Sequence, residues 1–138
     1  IERGVMISAG TVFTNDRFPR ACTNDLLHLR PSEPDDETLA TLVREGATIG
    51  ANCTIGCGLE IGRFAMVGMG SVVTKTVPDF HLVVGSPARS VSCVCRCGHL
   101  LARFAELEAG ATARLTCRVC GDGYDVREGV VAPLATVP

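Results

Sequence analysis

The chain has 138 residues, 46% of them hydrophobic, which suffices for one modest core and an appendage but not for two full domains. A formal charge of −2, a pI near 5.9 and 4% aromatic content offer neither a basic face nor a stacking surface for nucleic acid. No membrane-spanning run and no secretory signal is visible in the sequence, so a cytoplasmic protein is the expectation.

Residues 1–13 carry a period of six. Ile1, Ile7 and Phe13 share one register, Val5 and Thr11 another, and Gly4 and Gly10 stand at matching corners. The chain thus opens inside a repeating unit. An uncovered parallel edge leaves backbone groups unpaired, so further coils are expected upstream of Ile1.

Residues 14–42 leave this register. They are polar, contain Pro19, Pro31 and Pro34, and carry the acidic cluster Asp35, Asp36 and Glu37. They read as a long excursion from one corner, either functional or a solvated surface loop. Asn15 and Asp16 stand at its mouth in the stretch FTNDRFPR. Both suit acyl transfer to an amine, which needs alignment, a proton acceptor and donors to a tetrahedral oxyanion. Asn-Asp is also a good turn former in its own right.

The six-residue period returns over residues 43–78. Val43, Ile49, Ile55, Ile61, Val67 and Val73 fall on one register, and Gly50, Gly56, Gly62 and Gly68 follow their aliphatic neighbours directly. A period of six fits neither a helix nor a simple alternation, so each unit is a short strand plus a corner. Gly46, Asn52, Gly58 and Gly70 suit those corners, whereas Phe64 and Thr76 break the rule. Ala47, Cys53, Ala65 and Ser71 are small enough to sit inside a narrow prism; Leu59 and Val77 are bulkier. Three units would close one triangular coil. This pattern resembles the hexapeptide-repeat acyltransferases, and the resemblance implies an all-β fold, a left-handed parallel β-helix. A β-solenoid without catalysis, acting as an interaction module, satisfies the same pattern.

The FTNDRFPR stretch, followed by a loop and TLVREGATIGAN, is similar to the sugar-nucleotide N-acetyltransferases of that family. The members it resembles acetylate the 3-amino group of UDP-2-acetamido-3-amino-2,3-dideoxy-glucuronate or of dTDP-3-amino-3,6-dideoxyhexoses. The similarity runs from Ile1 to about Cys97. It implies acetyl-CoA as cosubstrate, a nucleotide-linked amino sugar as acceptor, and a place in surface (lipopolysaccharide) polysaccharide synthesis. An alcohol acceptor would instead need a base, for which His28 in the excursion is the candidate. His81 is expected at the surface, and three histidines on unrelated segments do not form a carbonic-anhydrase zinc site.

Residues 73–91, VTKTVPDFHLVVGSPARSV, match the way the family ends its helix. The resemblance implies a coenzyme A groove between subunits of a homotrimer, lined by Ala65 and Gly68, with Lys75 and Arg89 as cations for phosphate.

The composition changes at residue 93. CVCRCG and CRVCGDG hold five of the eight cysteines, in the pairs Cys95/Cys97 and Cys117/Cys120, each followed by glycine. That spacing matches a zinc ribbon in which four thiolates close a tetrahedron around a structural Zn2+. Disulfides in an exported protein are the competing explanation. Cys93 is left to pack against the last coil, and the segment between the pairs reads as a hairpin or a helical turn, the hairpin preferred. The expected organisation is a β-helix over 1–91, a zinc-ribbon-like module over 92–128 and a frayed tail over 129–138.

Overall fold

The computed structural model describes residues 1–135. Eight two-residue strands come first: β1 (Met6–Ile7), β2 (Val12–Phe13), β3 (Leu42–Val43), β4 (Thr48–Ile49), β5 (Thr54–Ile55), β6 (Glu60–Ile61), β7 (Met66–Val67) and β8 (Val72–Val73). Every third strand pairs in parallel, giving the ladders β1-β4-β7, β2-β5-β8 and β3-β6. Thr48 lies beside Met66 and Thr54 beside Val72, so one turn of the three-sided coil takes 18 residues. Val12 lies beside Thr54, which shows the excursion looped out of the first turn.

The register residues point inward. Val43, Ile49, Ile55, Ile61, Val67 and Val73 form one buried column with Ala47, Cys53, Ala65 and Val77, and Ser71 is buried alongside. Each such aliphatic side chain contributes on the order of 1.5–3 kcal/mol from burial. The corners behave as their residue types require, with positive φ at Gly46, Asn52, Gly58 and Gly70. Phe64 takes the same corner conformation, φ 52°, although it carries a Cβ. Its ring is held there by stacking on Phe80 at 5.4 Å, with the Arg96 guanidinium 5.3 Å from its centroid.

The coil runs directly into the cysteine-rich part. β9 (His81–Gly85) pairs in parallel with β7, β10 (Ala88–Val94) turns back antiparallel on β9, and β11 (Leu100–Arg103) adds to β10. The hairpin therefore continues the β1-β4-β7 ladder beyond the coil. The expected junction at 91/92 lies within β10, so no linker separates the two parts. A 3-10 turn (Phe104–Glu106) leads to the three-stranded antiparallel sheet of β12 (Ala113–Thr116), β13 (Gly123–Arg127) and β14 (Val130–Pro133).

Three expectations need correction. The segment between the cysteine pairs is not a hairpin: β11 pairs with β10 and β12 with β13, because each finds a longer partner outside the segment. The tail is ordered through residue 133, since β14 pairs with β13 and buries Val131; residues 136–138 lie outside the described ones. His81 is buried rather than at the surface. Its Nε2 donates to the Gly129 carbonyl at 2.7 Å, its Nδ1 accepts from the Ser90 hydroxyl at 2.8 Å, and its ring rests on Phe104. Burial pushes the imidazole below its ordinary pKa. Cys93 packs in the second core with Tyr124, Val126, Val131 and the coil's own Phe80.

Candidate functional site

Asn15 and Asp16 sit at the neck of the excursion, and backbone bonds across that neck fix them. The Leu39 N–H donates to the Asn15 carbonyl at 2.7 Å, Asp16 bridges Thr38, and the Arg17 N–H donates to Glu37 at 3.0 Å. Both side chains remain exposed. Asn15 borders a cavity of about 240 Å3 with Phe13, Thr14, Leu39 and Thr41; Asp16 does not line it.

Register relates other residues to this corner. Val12, Thr54 and Val72 are stacked neighbours, and Asn15, Cys57 and Lys75 each follow three residues later in the chain. Ala65 and Gly68 flank β7 on another face. Ala65 is wholly buried and its side chain packs in the prism. Gly68 lies under β9, where an added Cβ would meet Val84 Cγ1 at 2.7 Å. Arg89 is exposed and bonds its own strand at the Ala88 carbonyl. His28 is exposed at the tip of a small hairpin closed by bonds between Thr23 and His28 and between Ala21 and Arg30.

Sequence reading missed an ionic brace on the β3-β6 edge. The Arg44 guanidinium donates to both Glu60 oxygens, at 2.8 and 3.2 Å, and to Glu2 at 3.0 Å, linking successive turns. The Arg44 bonds hold the carboxyls of Glu2 and Glu60 below the usual carboxylate range. Nothing in the period of six marks these three, since they meet only after coiling.

The four expected cysteines converge. Their sulfurs all lie within 4.8 Å of one another, with Cys95–Cys120 at 3.4 Å and Cys97–Cys117 at 3.6 Å. Disulfide sulfurs would be about 2.05 Å apart, whereas four thiolates around Zn2+ at about 2.3 Å would stand about 3.8 Å apart. The set can therefore hold a metal ion in a tetrahedron. Gly98 and Gly121 turn the chain under the sulfurs at positive φ, donating to the Cys95 and Cys117 carbonyls. The backbone N–H groups of Cys120 and Val119 pull the Cys117 thiol down to about 6. Asp122 pulls Cys120 the same way, but the Cys95 sulfur and burial outweigh it and raise that thiol to about 12. Four sulfur ligands leave no open position, so an ion here would brace the fold and would not bind substrate. Tyr124, wholly buried, places its hydroxyl 3.2 Å from Cys95 Sγ and accepts the Arg96 N–H at 3.0 Å.

No family model matches the chain. It is 44% identical over 94 residues to the dTDP-3-amino-3,6-dideoxy-alpha-D-galactopyranose 3-N-acetyltransferase of Aneurinibacillus thermoaerophilus, a match covering 68% of this chain and 45% of that enzyme. AntD, an N-acyltransferase from Bacillus cereus whose crystal structure holds dTDP and 3-hydroxybutyryl-CoA, shares the fold with a TM-score of 0.53 at 24% identity, over 68% of this chain and 50% of that one. The coil is that of the hexapeptide-repeat acyltransferase family. The serine acetyltransferase of Haemophilus influenzae matches a shorter part of this hexapeptide-repeat chain, 46% identical over 50 residues, or 36% of this chain and 19% of that enzyme. The hexapeptide-repeat chain spans about half the length of the first relatives, 45% of one and 50% of the other. Among its described residues, no helix is long and apolar enough to cross a membrane.

Proposed function

We propose that the chain carries the catalytic coil of an acetyl-CoA-dependent N-acetyltransferase acting on the amino group of a nucleotide-linked amino sugar in surface polysaccharide synthesis. The observation that carries this reading is the 44% identity over 94 residues to an enzyme named for that reaction on a dTDP-linked 3-amino sugar. In the step itself the amine lone pair attacks the thioester carbonyl carbon, and the tetrahedral intermediate collapses as the C–S bond breaks. The amine gives up a proton and the coenzyme A thiolate takes one up. Asn15 orients the sugar or donates to the oxyanion, and Asp16 holds the amino group. Lys75 and Arg89 serve donor phosphates, and the backbone at Gly68 and Ala65 lies against the donor's acyl arm. The functional unit is a homotrimer, with the groove between subunits. The four cysteines hold a structural Zn2+.

The histidines favour an amine over an alcohol acceptor. Among the described residues none lines the Asn15 cavity: His81 has both ring nitrogens engaged, and His99 Nδ1 lies 3.4 Å from Cys97. An amine needs no such base, because its neutral form is already nucleophilic.

Thiol release from acetyl-CoA tests the reading. It should appear with 3-amino sugar nucleotides and not with their hydroxyl analogues, and His28→Ala should retain most of it. The reverse acceptor preference, lost in His28→Ala, would establish the O-acetyltransferase alternative. Failure of the protein to bind coenzyme A would leave the coil as an interaction module.

A further inference from the structure

A second cavity, of about 500 Å3, lies between the coil and the four-cysteine unit. The coil supplies Arg3, Glu45, Arg63 and Asp79, from corners stacked turn on turn. The cysteine unit supplies Arg96 and an apolar lip of Val131, Ala132 and Pro133. The volume falls within the range of small-molecule sites.

The charges in this cavity are unevenly satisfied. Glu45 is ion-paired with Arg3, and Asp79 Oδ1 accepts the Arg63 backbone N–H at 2.7 Å. The guanidinium groups of Arg63 and Arg96 have no carboxylate partner among the described residues. Two unpaired guanidiniums on the walls of one cavity favour an anion between them, and their planar forks suit phosphate. Arg96 is also held in advance. Its N–H bonds the buried Tyr124 hydroxyl, its neighbours on both sides are the clustered Cys95 and Cys97, and its guanidinium rests on the Phe64 ring. Little ordering is left for a ligand to impose.

We propose that this cavity binds the phosphate groups of a nucleotide between Arg63 and Arg96, with the lip at residues 131–133 bearing its base or ribose. The four-cysteine unit is then part of a binding site as well as a brace, because it presents Arg96 to the ligand. Two sources share this chemistry: the 3′-phosphorylated ADP end of coenzyme A, and the nucleoside diphosphate of a sugar nucleotide. The choice of these two rests on the proposed reaction; the site itself does not.

Calorimetric titration of the zinc-loaded chain with adenosine 3′,5′-bisphosphate, and separately with dTDP, tests it. Saturable binding is expected, weakened about tenfold or more in Arg96→Ala and in Arg63→Ala, with zinc content by native mass spectrometry unchanged. Preference for the bisphosphate assigns the site to coenzyme A, and preference for dTDP assigns it to the sugar nucleotide. Should Arg96→Ala lose its metal, Arg63→Ala, remote in sequence from the sulfurs, carries the test. Absence of saturable binding by both nucleotides, or an unchanged affinity in Arg63→Ala, overturns the proposal. Binding is the readout, so a chain without transferase activity still decides it.

Discussion

The Tyr124 hydroxyl lies 3.2 Å from Cys95 Sγ, inside a core that leaves the ring no contact with solvent. Burial holds the phenol above its ordinary pKa, so it stays protonated and donates to the sulfur. A donor to a metal-binding thiolate orients it and tempers its charge. Tyr124→Phe keeps the ring and its edge contact with Phe80 at 5.5 Å but removes that donor. Zinc affinity, measured by competition with a chromophoric chelator, should fall on the order of tenfold or more while the fold persists. An unchanged affinity would mean that the hydroxyl only packs.

Chelation should loosen one end of the molecule more than the other. The second core joins Phe80 to Cys93, Tyr124, Val126 and Val131, and an ion held by the four clustered sulfurs would tie its segments together. The coil's column of Val and Ile has its own hydrogen-bonded ladders. Treating the protein with a chelator at pH 7 should therefore open residues 95–122 to proteolysis before residues 43–78, and added Zn2+ should restore protection. Simultaneous cleavage of both regions would show a single cooperative unit.

Gly46 and Gly70 occupy equivalent corners with nearly equal φ, 69° and 71°, yet their surroundings differ. A Cβ at Gly46 would enter the Phe64 ring, whereas one at Gly70 would meet nothing within 4 Å. Gly70→Ala should cost about 1–2 kcal/mol from backbone conformation alone. Gly46→Ala should cost about 1–3 kcal/mol more, from overpacking. Denaturant unfolding measures both. Combining Gly46→Ala with Phe64→Ala should recover part of the difference, because the two sites share one contact.

This corner also marks where sequence reading succeeds and where it stops. The inward column and the small residues beside it were legible, since a period of six in side-chain size records the coil directly. The convergence of Cys95, Cys97, Cys117 and Cys120 was legible because spacing and the following glycines are local. Phe64 at a glycine-like corner was not, because its conformation is held by Phe80 and Arg96, partners 16 and 32 residues away. The Arg44 brace was hidden for the same reason, with Glu2 and Glu60 brought to it only by coiling. Residue types at 15 and 16 suggested an acyl-transfer corner, but only the bonds from Leu39 and Arg17 reveal how that corner is held.

Buried His81 should make stability depend on mildly acidic pH. Desolvation lowers its folded pKa below the ordinary 6.5, and the nearby Asp79 charge and the bond to Gly129 oppose this without overcoming it. Above about 6.5 the imidazole is neutral in both the folded and unfolded chain, and its contribution is complete. As pH falls below that value the unfolded chain takes up the proton first, so stability declines through the folded pKa, by at most about 1.4 kcal/mol per pH unit. His81→Gln cannot titrate and should be less stable than the parent at pH 8, by about 1–3 kcal/mol, through loss of the bonds to Ser90 and Gly129. That deficit should shrink steadily between pH 6.5 and 5. Thermal unfolding of both proteins across this range, with zinc content followed in parallel, measures the difference, and loss of metal affects the two curves alike. Parallel curves for parent and variant would show that His81 accepts its proton in place, with Ser90 Oγ turning to receive the new N–H.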